Sequence, residues 1–305
     1  MEPATALSAA LRAVGVDWGT THRRACAIAA DGACGTVFAD AHGLFAARGN
    51  FEAALEELLG VLGPLAPAAP VVLSGMVGSA QGWLDAGYLE LPLALSALRQ
   101  HLVPVPGASA GVVIVPGVIR RSGTSLDVMR GEETQLLGAV ALGHADGWFV
   151  LPGTHSKWVR VEGGSIVDFA TYMTGELFAL LSRQGTLAAA LEEGGSPHCA
   201  EAFDEGLQVA AEQALSQALF GVRARVVGGG MPANRAPSYL SGLLIGAEWH
   251  DLRRRGGGRL PERVTMIAAP ELAVRYGQAA RRLGVDLRAL DAQAVHCAAL
   301  AALTQ

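Results

Sequence analysis

Two short loops rich in glycine and threonine have the composition of phosphate-binding loops. The first is Gly19-Thr20-Thr21, directly after the apolar run 14–18, and the second follows the apolar run 147–151. The residues of the second loop are Gly153, Thr154, His155, Ser156 and Lys157. Successive backbone N–H groups in such loops, with nearby hydroxyls, can hold phosphate oxygens. We therefore expect the two loops to bind a nucleoside triphosphate, ATP, from two sides.

Asp17 lies two residues before the first loop and supplies a carboxylate next to the expected phosphates. Magnesium prefers oxygen ligands and keeps much of its water, so an aspartate beside a triphosphate is a suitable partner for it. An aspartate at a strand end can instead cap its own turn, and the segment 17–21 alone favours neither interpretation. The second loop favours phosphate binding, so we predict that Asp17 holds Mg²⁺ directly or through water.

A pair of carboxylates, Glu132 and Glu133, opens a helix-like apolar segment after Arg130 and Gly131. Phosphoryl transfer to an alcohol requires a group that accepts the hydroxyl proton, normally a carboxylate. Two acidic residues at a helix N-terminus are also common for electrostatic reasons alone. The position of the pair just before the second loop favours catalysis. Arg130 would pair with an acidic substrate or merely with Asp127.

A glycine-rich loop follows the predicted buried strand 71–74 and is the expected substrate side. Its residues are Gly75, Met76, Val77, Gly78 and Ser79. Ligands in α/β folds bind at the carboxyl ends of strands, and Trp83, farther along, offers an aromatic face suited to a sugar. A turn that serves packing alone is the other interpretation of this segment.

The elements that must position these residues occur twice in the chain. A strand, a Gly-Thr loop, a second strand, a glycine turn and a third strand follow one another over 14–38 and again over 147–169. The Asp-Gly pair between the second and third strands of the first copy is typical of a hairpin. Such a repeat indicates duplication of one supersecondary unit. We predict an α/β fold with domains 1–142 and 143–305.

Further elements are predicted by the spacing of apolar residues. Helices are expected over 51–62 and 131–142, where apolar residues recur with helical spacing. The Val-Val-Gly-Gly-Gly run at 226–230 lacks the spacing of a dinucleotide-binding fingerprint, so we interpret it as a flexible connection. A strand with its loop over 263–270 and a helix over 272–283 complete a C-terminal α/β unit.

Composition excludes several classes of protein. The 305 residues are 51% hydrophobic and 17% charged, which is enough apolar material for two cores. A formal net charge of -5 and the lack of a basic block argue against nucleic acid as a partner. There is no apolar stretch long enough to cross a membrane, no signal-peptide pattern and no metal-like cysteine spacing. We expect a cytoplasmic protein that does not bind membranes.

Several motifs together resemble the 2-dehydro-3-deoxygalactonokinase family. They lie at 17–21, 75–79, 129–135, 152–158 and 240–248, and the resemblance covers nearly the whole chain. Its most specific parts are the Arg-Gly-Glu-Glu-Thr-Gln and Pro-Gly-Thr-His-Ser-Lys-Trp runs. The resemblance implies duplicated ribonuclease H-like domains of the actin-like ATPase type, with ATP in an interdomain cleft.

The resemblance also implies a reaction, the Mg-ATP-dependent phosphorylation of 2-dehydro-3-deoxy-D-galactonate, a small sugar acid, at its 6-hydroxyl. Related sugar kinases carry the catalytic base in a Gly-Asp-Gln run, and Gly131-Glu132-Glu133 matches it with Glu132 as the base. The family's adenosine-contacting loop corresponds to Ala268-Ala269, where relatives of this fold often carry glycines. The oligomeric state stays open, with a homodimer as one option.

Two other functions remain open from the sequence. The first is a kinase of the same fold that acts on another sugar or sugar acid, because substrate choice depends on loop side chains. The second is a regulator that binds ATP without transferring phosphate. A carboxylate at Glu132 beside two phosphate-type loops argues against the regulator.

Overall fold

The computed structural model describes residues 10–108, 111–191 and 198–305. The strands are β1 (Ala13–Trp18), β2 (Arg23–Ile28), β3 (Cys34–Asp40), β4 (Val71–Gly75), β5 (Tyr88–Glu90), β6 (Leu93–Ala94), β7 (Val103–Pro104), β8 (Val112–Ile114), β9 (Gly117–Ser122), β10 (Ser125–Met129), β11 (Gly147–Leu151), β12 (Ser156–Glu162), β13 (Ser165–Tyr172), β14 (Arg263–Met266) and β15 (Asp286–Ala289). The helices are α1 (Leu44–Ala47), α2 (Phe51–Leu62), α3 (Glu132–Ala141), α4 (Thr174–Arg183), α5 (Gly185–Ala188), α6 (Ala200–Glu212), α7 (Leu215–Val227), α8 (Ala236–Arg255), α9 (Pro270–Leu283) and α10 (Ala292–Thr304). Among these helices, none has the length and apolar character that crossing a membrane requires.

Local sequence accounts for the first elements. Helix α2 buries Phe51, Leu55, Leu58 and Leu62, which recur at the spacing of one helical face. The helix ends at Leu62, and its C-cap Gly63 has a φ of 107°, a conformation that glycine adopts without strain. Every residue of β4 is buried, as expected for a β-branched strand covered on both faces of a sheet. The predicted helix over 51–62 is therefore confirmed.

The first six-stranded sheet has the order β3-β2-β1-β4-β8-β7. Strands β1, β2 and β3 form an antiparallel meander, and Gly32, with a φ of 86°, occupies the predicted hairpin turn. Strand β4 is parallel to both β1 and β8. Parallel neighbours place their carboxyl ends at the same edge of the sheet, so the loops after β1 and β4 are neighbours there.

The second six-stranded sheet has the order β15-β14-β11-β12-β13-β6. Its first five strands repeat the order β8-β4-β1-β2-β3 of the first sheet, with parallel pairs β11–β14 and β14–β15 corresponding to β1–β4 and β4–β8. The predicted duplication of an α/β unit is therefore confirmed. A separate three-stranded sheet, β10-β9-β5, was not expected from the sequence.

Contact density divides the chain into two compact units. Unit 1 contains Met1–Gly147, Val159–Ala170 and Leu290–Gln305, and unit 2 contains Trp148–Trp158 and Thr171–Ala289. The sequence instead predicted a boundary after residue 142, with all later residues in one C-terminal domain. The C-terminal helix α10 belongs to unit 1 because it packs against α3.

Glycine permits the close packing of helices in both units. In unit 1, a Cβ on Gly138 of α3 would lie 2.0 Å from the carbonyl oxygen of Val295 in α10. In unit 2, a Cβ on Gly242 of α8 would lie 2.0 Å from the carbonyl oxygen of Phe203 in α6. Both obstacles are backbone atoms, which cannot rotate away, so a larger residue would separate the helices.

Gly242→Ala should therefore lower the free energy of unfolding by about 3 kcal/mol, the scale of severe overpacking. Gly221→Ala is the matched control, because this α7 glycine has no atom within 4 Å of its virtual Cβ. The control should stabilise the helix by about 0.5–1 kcal/mol. Urea unfolding followed by circular dichroism measures both. Equal stability of the two variants would contradict the packing account.

Candidate active site

Three of the predicted segments meet at the carboxyl edge of the unit 1 sheet. Trp18 at the end of β1 pairs with Gly75 at the end of β4. A Cβ on Gly75, whose φ is 87°, would lie 2.9 Å from the Trp18 carbonyl oxygen and 3.2 Å from Asp17 Oδ1. A Cβ on Gly131 would in turn lie 3.2 Å from the Cα of Gly75. The candidate metal ligand, substrate loop and catalytic helix are thus brought together.

The first candidate phosphate loop is a tight turn at the surface of unit 1. The Gly19 N–H donates to the His22 carbonyl at 2.9 Å, and the Leu44 N–H at the start of α1 donates to the Gly19 carbonyl at 2.9 Å. A Cβ on Gly43 would lie 2.4 Å from the carbonyl carbon of Thr21. The segment before α1 therefore supports the turn from beneath, while Thr21 stays exposed.

The carboxylate of Asp17 is part-exposed and lies beside a cavity of unit 1. Its side chain is 29% exposed, and its Oδ2 is 3.5 Å from Nε2 of His296 on α10. Ser74 and Thr134 also line this cavity. No group of three or more metal-ligating side chains occurs in the described segments of the chain. A single carboxylate nevertheless suits Mg²⁺ that is held mainly by phosphates and water.

The two adjacent glutamates at the start of α3 lie in opposite environments. The Glu133 side chain is fully buried, and its carboxyl accepts from the Gly131 N–H at 2.8 and 2.9 Å. Burial first, and the neighbouring charge of Glu132 second, raise the pKa of Glu133 to about 8. Glu132 is half-buried, and its Oε2 accepts from the Arg130 N–H at 3.0 Å. Near neutral pH, Glu133 therefore keeps its proton.

Arg130 is turned toward the substrate loop and away from solvent. Its side chain is 4% exposed, Nη2 donates to the Gly87 carbonyl at 2.9 Å, and the guanidinium lies 4.4 Å from the ring centroid of Tyr88. Nε and Nη1 are buried without a hydrogen-bond partner among the described residues. In this conformation Arg130 supports the loop and supplies positive charge beneath it. Nη2 of Arg130 also lies 3.8 Å from Oδ1 of Asp85, an acidic residue of the same loop.

The loop 75–88 offers some of its predicted residues to a ligand and buries others. Val77 and Gly78 are buried, and a Cβ on Gly78 would lie 2.6 Å from Cγ2 of Ile114. The Ser79 hydroxyl donates to the Met76 carbonyl at 2.7 Å. Trp83 is half-buried and stacks on Phe51, with ring centroids 6.3 Å apart. Met76, Ser79 and Trp83 keep partial exposure, whereas the Val77 side chain belongs to the core.

In unit 2, the second loop exposes only part of the predicted set. Gly153, Thr154 and His155 are exposed, but Ser156 and Lys157 are buried. The Lys157 Nζ donates to the Thr171 hydroxyl at 3.0 Å, and the Ser156 hydroxyl donates to a buried carboxylate. Ser156 and Lys157 open β12, and both side chains are buried although successive strand residues point to opposite faces, because the start of this strand is covered on both faces of the sheet.

The first turn of α4 supports this loop. The Glu176 N–H donates to the Thr154 carbonyl at 2.9 Å, and Glu176 Oε2 lies 2.6 Å from Nε2 of His155. A Cβ on Gly175 would lie 2.3 Å from the Gly153 carbonyl oxygen. The loop therefore rests directly on the helix backbone, and a larger residue at position 175 would displace it.

A cavity in unit 2 adjoins the same loop. Its lining includes Gly153, Gly175, Phe178, Ser241, Leu272 and Arg275. Arg275 Nη1 donates to the Ser241 hydroxyl at 3.2 Å, and the guanidinium lies 5.6 Å from the centroid of the Phe178 ring. The predicted adenosine contacts, Ala268 and Ala269, directly precede α9 in the chain. Ala268 packs against the core, and exposed Ala269 caps α9, the helix that supplies Leu272 and Arg275.

Sequence reasoning missed the carboxylate that organises this part of unit 2. Glu248 on α8 is 1% exposed and accepts hydrogen bonds from Ser156 and Tyr276, among others. Its signal in the sequence is a lone glutamate at the end of the apolar run 239–247, where a charge is costly unless it is hydrogen-bonded.

Comparison with known proteins identifies the family. The model of the 2-keto-3-deoxy-galactonokinase family matches residues 17–303. The chain belongs to this family. It is an enzyme, a sugar-acid kinase. The 2-dehydro-3-deoxygalactonokinase of Escherichia coli (strain K12) is 36% identical over 285 residues, which cover 92% of each chain. A protein of Rhizobium meliloti (strain 1021) named for the same activity is 36% identical over 293 residues.

Solved structures of related proteins agree on the fold. A Sinorhizobium meliloti protein named for the same kinase activity superposes with a TM-score of 0.86 at 35% identity, covering 95% of both chains. The activator of a 2-hydroxyisocaproyl-CoA dehydratase from Clostridium difficile, solved with ADPNP, has a TM-score of 0.51 at 13% identity. The predicted actin-like ATPase and sugar kinase fold is confirmed.

The buried Glu133 predicts a pH dependence of stability. Between about pH 4.5 and 8 the unfolded chain loses the proton that the folded kinase keeps. The stability that Glu133 contributes is thus present below pH 4.5 and is lost as the pH rises through about 8. Glu133→Gln should gain stability relative to the wild type across this window, by up to about 1.4 kcal/mol per pH unit.

Urea unfolding at pH 5, 6, 7 and 8 measures this difference. Glu56→Gln, which changes an exposed glutamate of α2, is the matched control. A difference between Glu133→Gln and the wild type that stays constant with pH would show that Glu133 is ionised throughout.

Proposed function

We propose that this kinase transfers the γ-phosphate of ATP to the 6-hydroxyl of 2-dehydro-3-deoxy-D-galactonate. The observation that carries the proposal is the close approach of Asp17, Gly75 and Gly131 in unit 1, which gathers groups for phosphate, substrate and proton at one edge of a sheet. The names of the 36% identical relatives specify the substrate. Such a reaction uses ATP inside the cell, and we therefore place the protein in the cytoplasm.

Phosphate binding is assigned to backbone and hydroxyl groups of the two loops. In unit 1, Thr20 and Thr21 offer N–H groups and hydroxyls for phosphate oxygens, and Gly19, whose own N–H is bonded to the His22 carbonyl, shapes the turn. In unit 2, the exposed residues Gly153 to His155 offer the corresponding groups. Asp17 would hold Mg²⁺ directly or through water. When bound, this ion neutralises phosphate charge and favours attack at the γ-phosphorus.

The adenosine is assigned to the cavity beside the second loop in unit 2. Arg275 and Phe178 present a guanidinium and an aromatic ring on its wall, and either can stack on a purine. The hydroxyl of Ser241, already bonded to Arg275, adds a polar group. Ala268 and Ala269 would lie next to the adenosine, because they directly precede α9, the helix that carries Arg275.

Proton transfer is assigned to Glu132. As the 6-oxygen bonds to the γ-phosphorus, the bond from that phosphorus to the β,γ-bridging oxygen breaks and ADP leaves with the electron pair. The hydroxyl proton passes to the Glu132 carboxylate. Glu133 is unsuited to this role because it is fully buried and its raised pKa keeps it protonated near neutral pH.

The acidic substrate is assigned to the loop 75–79 together with Trp83 and Arg130. The buried guanidinium of Arg130 lies directly under this loop, since a Cβ on Gly78 would be 3.1 Å from Nη1. Positive charge in a low-dielectric setting attracts a carboxylate even without direct contact. The half-buried Trp83 ring supplies an apolar surface for a sugar chain.

Coupled measurement of ADP release from Mg-ATP tests the proposal. The acceptors compared are 2-dehydro-3-deoxygalactonate, its gluconate epimer, glycerol, xylulose and galactose. Fast turnover with the galactonate derivative alone is expected. Turnover with another acceptor instead would indicate a kinase of a different sugar or sugar acid. ATP binding without turnover on any acceptor would indicate a regulator.

Glu132→Gln should lower kcat by about 10²- to 10⁴-fold, the usual contribution of a general base. Binding of an ATP analogue, measured by calorimetry, should change little, because the substitution removes a proton acceptor and no phosphate contact. Glu133→Gln is the matched control and should retain most of the activity, since it resembles the protonated acid. Loss of activity in the control alone would move the base to Glu133.

A further inference from the structure

Glu248 forms the centre of a buried hydrogen-bond network in unit 2. Its Oε2 accepts from the Ser156 hydroxyl at 2.9 Å and from Trp158 Nε1 at 2.7 Å. Its Oε1 accepts from the Tyr276 hydroxyl at 2.8 Å and from the Thr174 hydroxyl. Both carboxylate oxygens therefore receive two donors each, from β12, α4 and α9.

The cost of burying this carboxylate indicates that its position matters. Burial raises the pKa of Glu248, and the hydrogen bonds of its neighbours act in the opposite direction. Within the described part of the chain, its hydrogen-bond donors are neutral side chains, without a cation that repays the desolvation. An apolar residue of similar size fills such a site at less cost. What a carboxylate adds is direction, because its lone pairs fix where each donor lies.

The donors flank the exposed part of the second loop. Ser156 follows His155 directly in the chain, so its bond to Glu248 anchors the end of the loop. Thr174 begins α4, and the two residues after it form the turn on which Gly153 and Thr154 rest. The carboxylate thus fixes the loop directly on one side and its supporting helix on the other.

We propose that Glu248 is a positioning residue for ATP, which holds the backbone of residues 153–155 in the conformation that binds phosphate. It does so without contacting the nucleotide, since it is 1% exposed beneath the loop. The inference rests on the proposed role of this loop in phosphate binding. Displacement of a binding group by about 1 Å is enough to lower activity about 100-fold.

Steady-state kinetics of Glu248→Gln in the full chain test the proposal. The amide keeps the size of the side chain but supplies one acceptor oxygen and introduces a donor, so the four hydrogen bonds cannot all persist. We expect the KM for ATP and the calorimetric Kd for a non-hydrolysable ATP analogue to rise about 10- to 100-fold. The KM for the sugar acid should change less than about threefold, because the substrate loop lies in unit 1.

Tyr172→Phe is the matched control. The Tyr172 hydroxyl donates at 2.5 Å to Asp251, a carboxylate one turn farther along α8. This variant also removes a hydrogen bond to an α8 carboxylate, but it leaves the loop untouched. It should lower Tm while the KM for ATP stays within about twofold of the wild type.

A second pair of variants keeps the test informative if Glu248→Gln does not fold. Thr174→Val preserves shape but removes one donor to Glu248 and should raise the KM for ATP, whereas Thr174→Ser should restore it. An unchanged KM for ATP in folded Glu248→Gln or Thr174→Val would overturn the inference. An equal rise in the KM values for ATP and for the sugar acid would overturn it as well. In both cases, activity of the wild-type protein would still uphold the proposed function. A wild-type protein that neither binds nor hydrolyses ATP would overturn both.

Discussion

The close approach of β1, β4 and the start of α3 in unit 1 is the constraint on which the candidate site depends. Gly75 has a positive φ, and a Cβ on it would lie 2.9 Å from the Trp18 carbonyl oxygen, while a Cβ on Gly131 would lie 3.2 Å from the Cα of Gly75. A side chain at Gly75 would push the two strand ends apart and displace Asp17, and a side chain at Gly131 would push the start of α3 away from β4. The positions of the candidate metal ligand and the candidate base therefore depend on two residues that have no side chain.

The two units solve the problem of a buried carboxyl in different ways. Glu133 keeps a proton, since burial and the adjacent Glu132 outweigh the N–H donor of Gly131. Glu248 instead collects four side-chain donors. The first arrangement leaves a neutral group that supports the start of a helix. The second produces a rigid junction of several elements, which is the property that the exposed candidate phosphate loop would require of its support.

Local sequence predicted those features whose causes are local. The hairpins, the strand before each Gly-Thr loop and helix α2 depend on turn residues and apolar spacing within short windows, and the repeated order of these signals indicated the duplicated sheet. The packing of α10 against α3 depends on contacts between residues far apart in the chain. The inward orientation of Ser156 likewise depends on its hydrogen bond to Glu248. The glycines predicted as a flexible connection at 228–230 prove to end α7, a helix whose propensity signal is diluted by its valines.

The neighbouring carboxyls of Glu132 and Glu133 lie on different faces of α3. Glu133, Leu136 and Leu137 follow the i, i+3, i+4 spacing of one helical face, and all three are buried. Successive residues of a helix point about 100° apart, so Glu132 cannot share that face with Glu133. A carboxylate that accepts a substrate proton must stay accessible, and helical geometry alone thus favours Glu132.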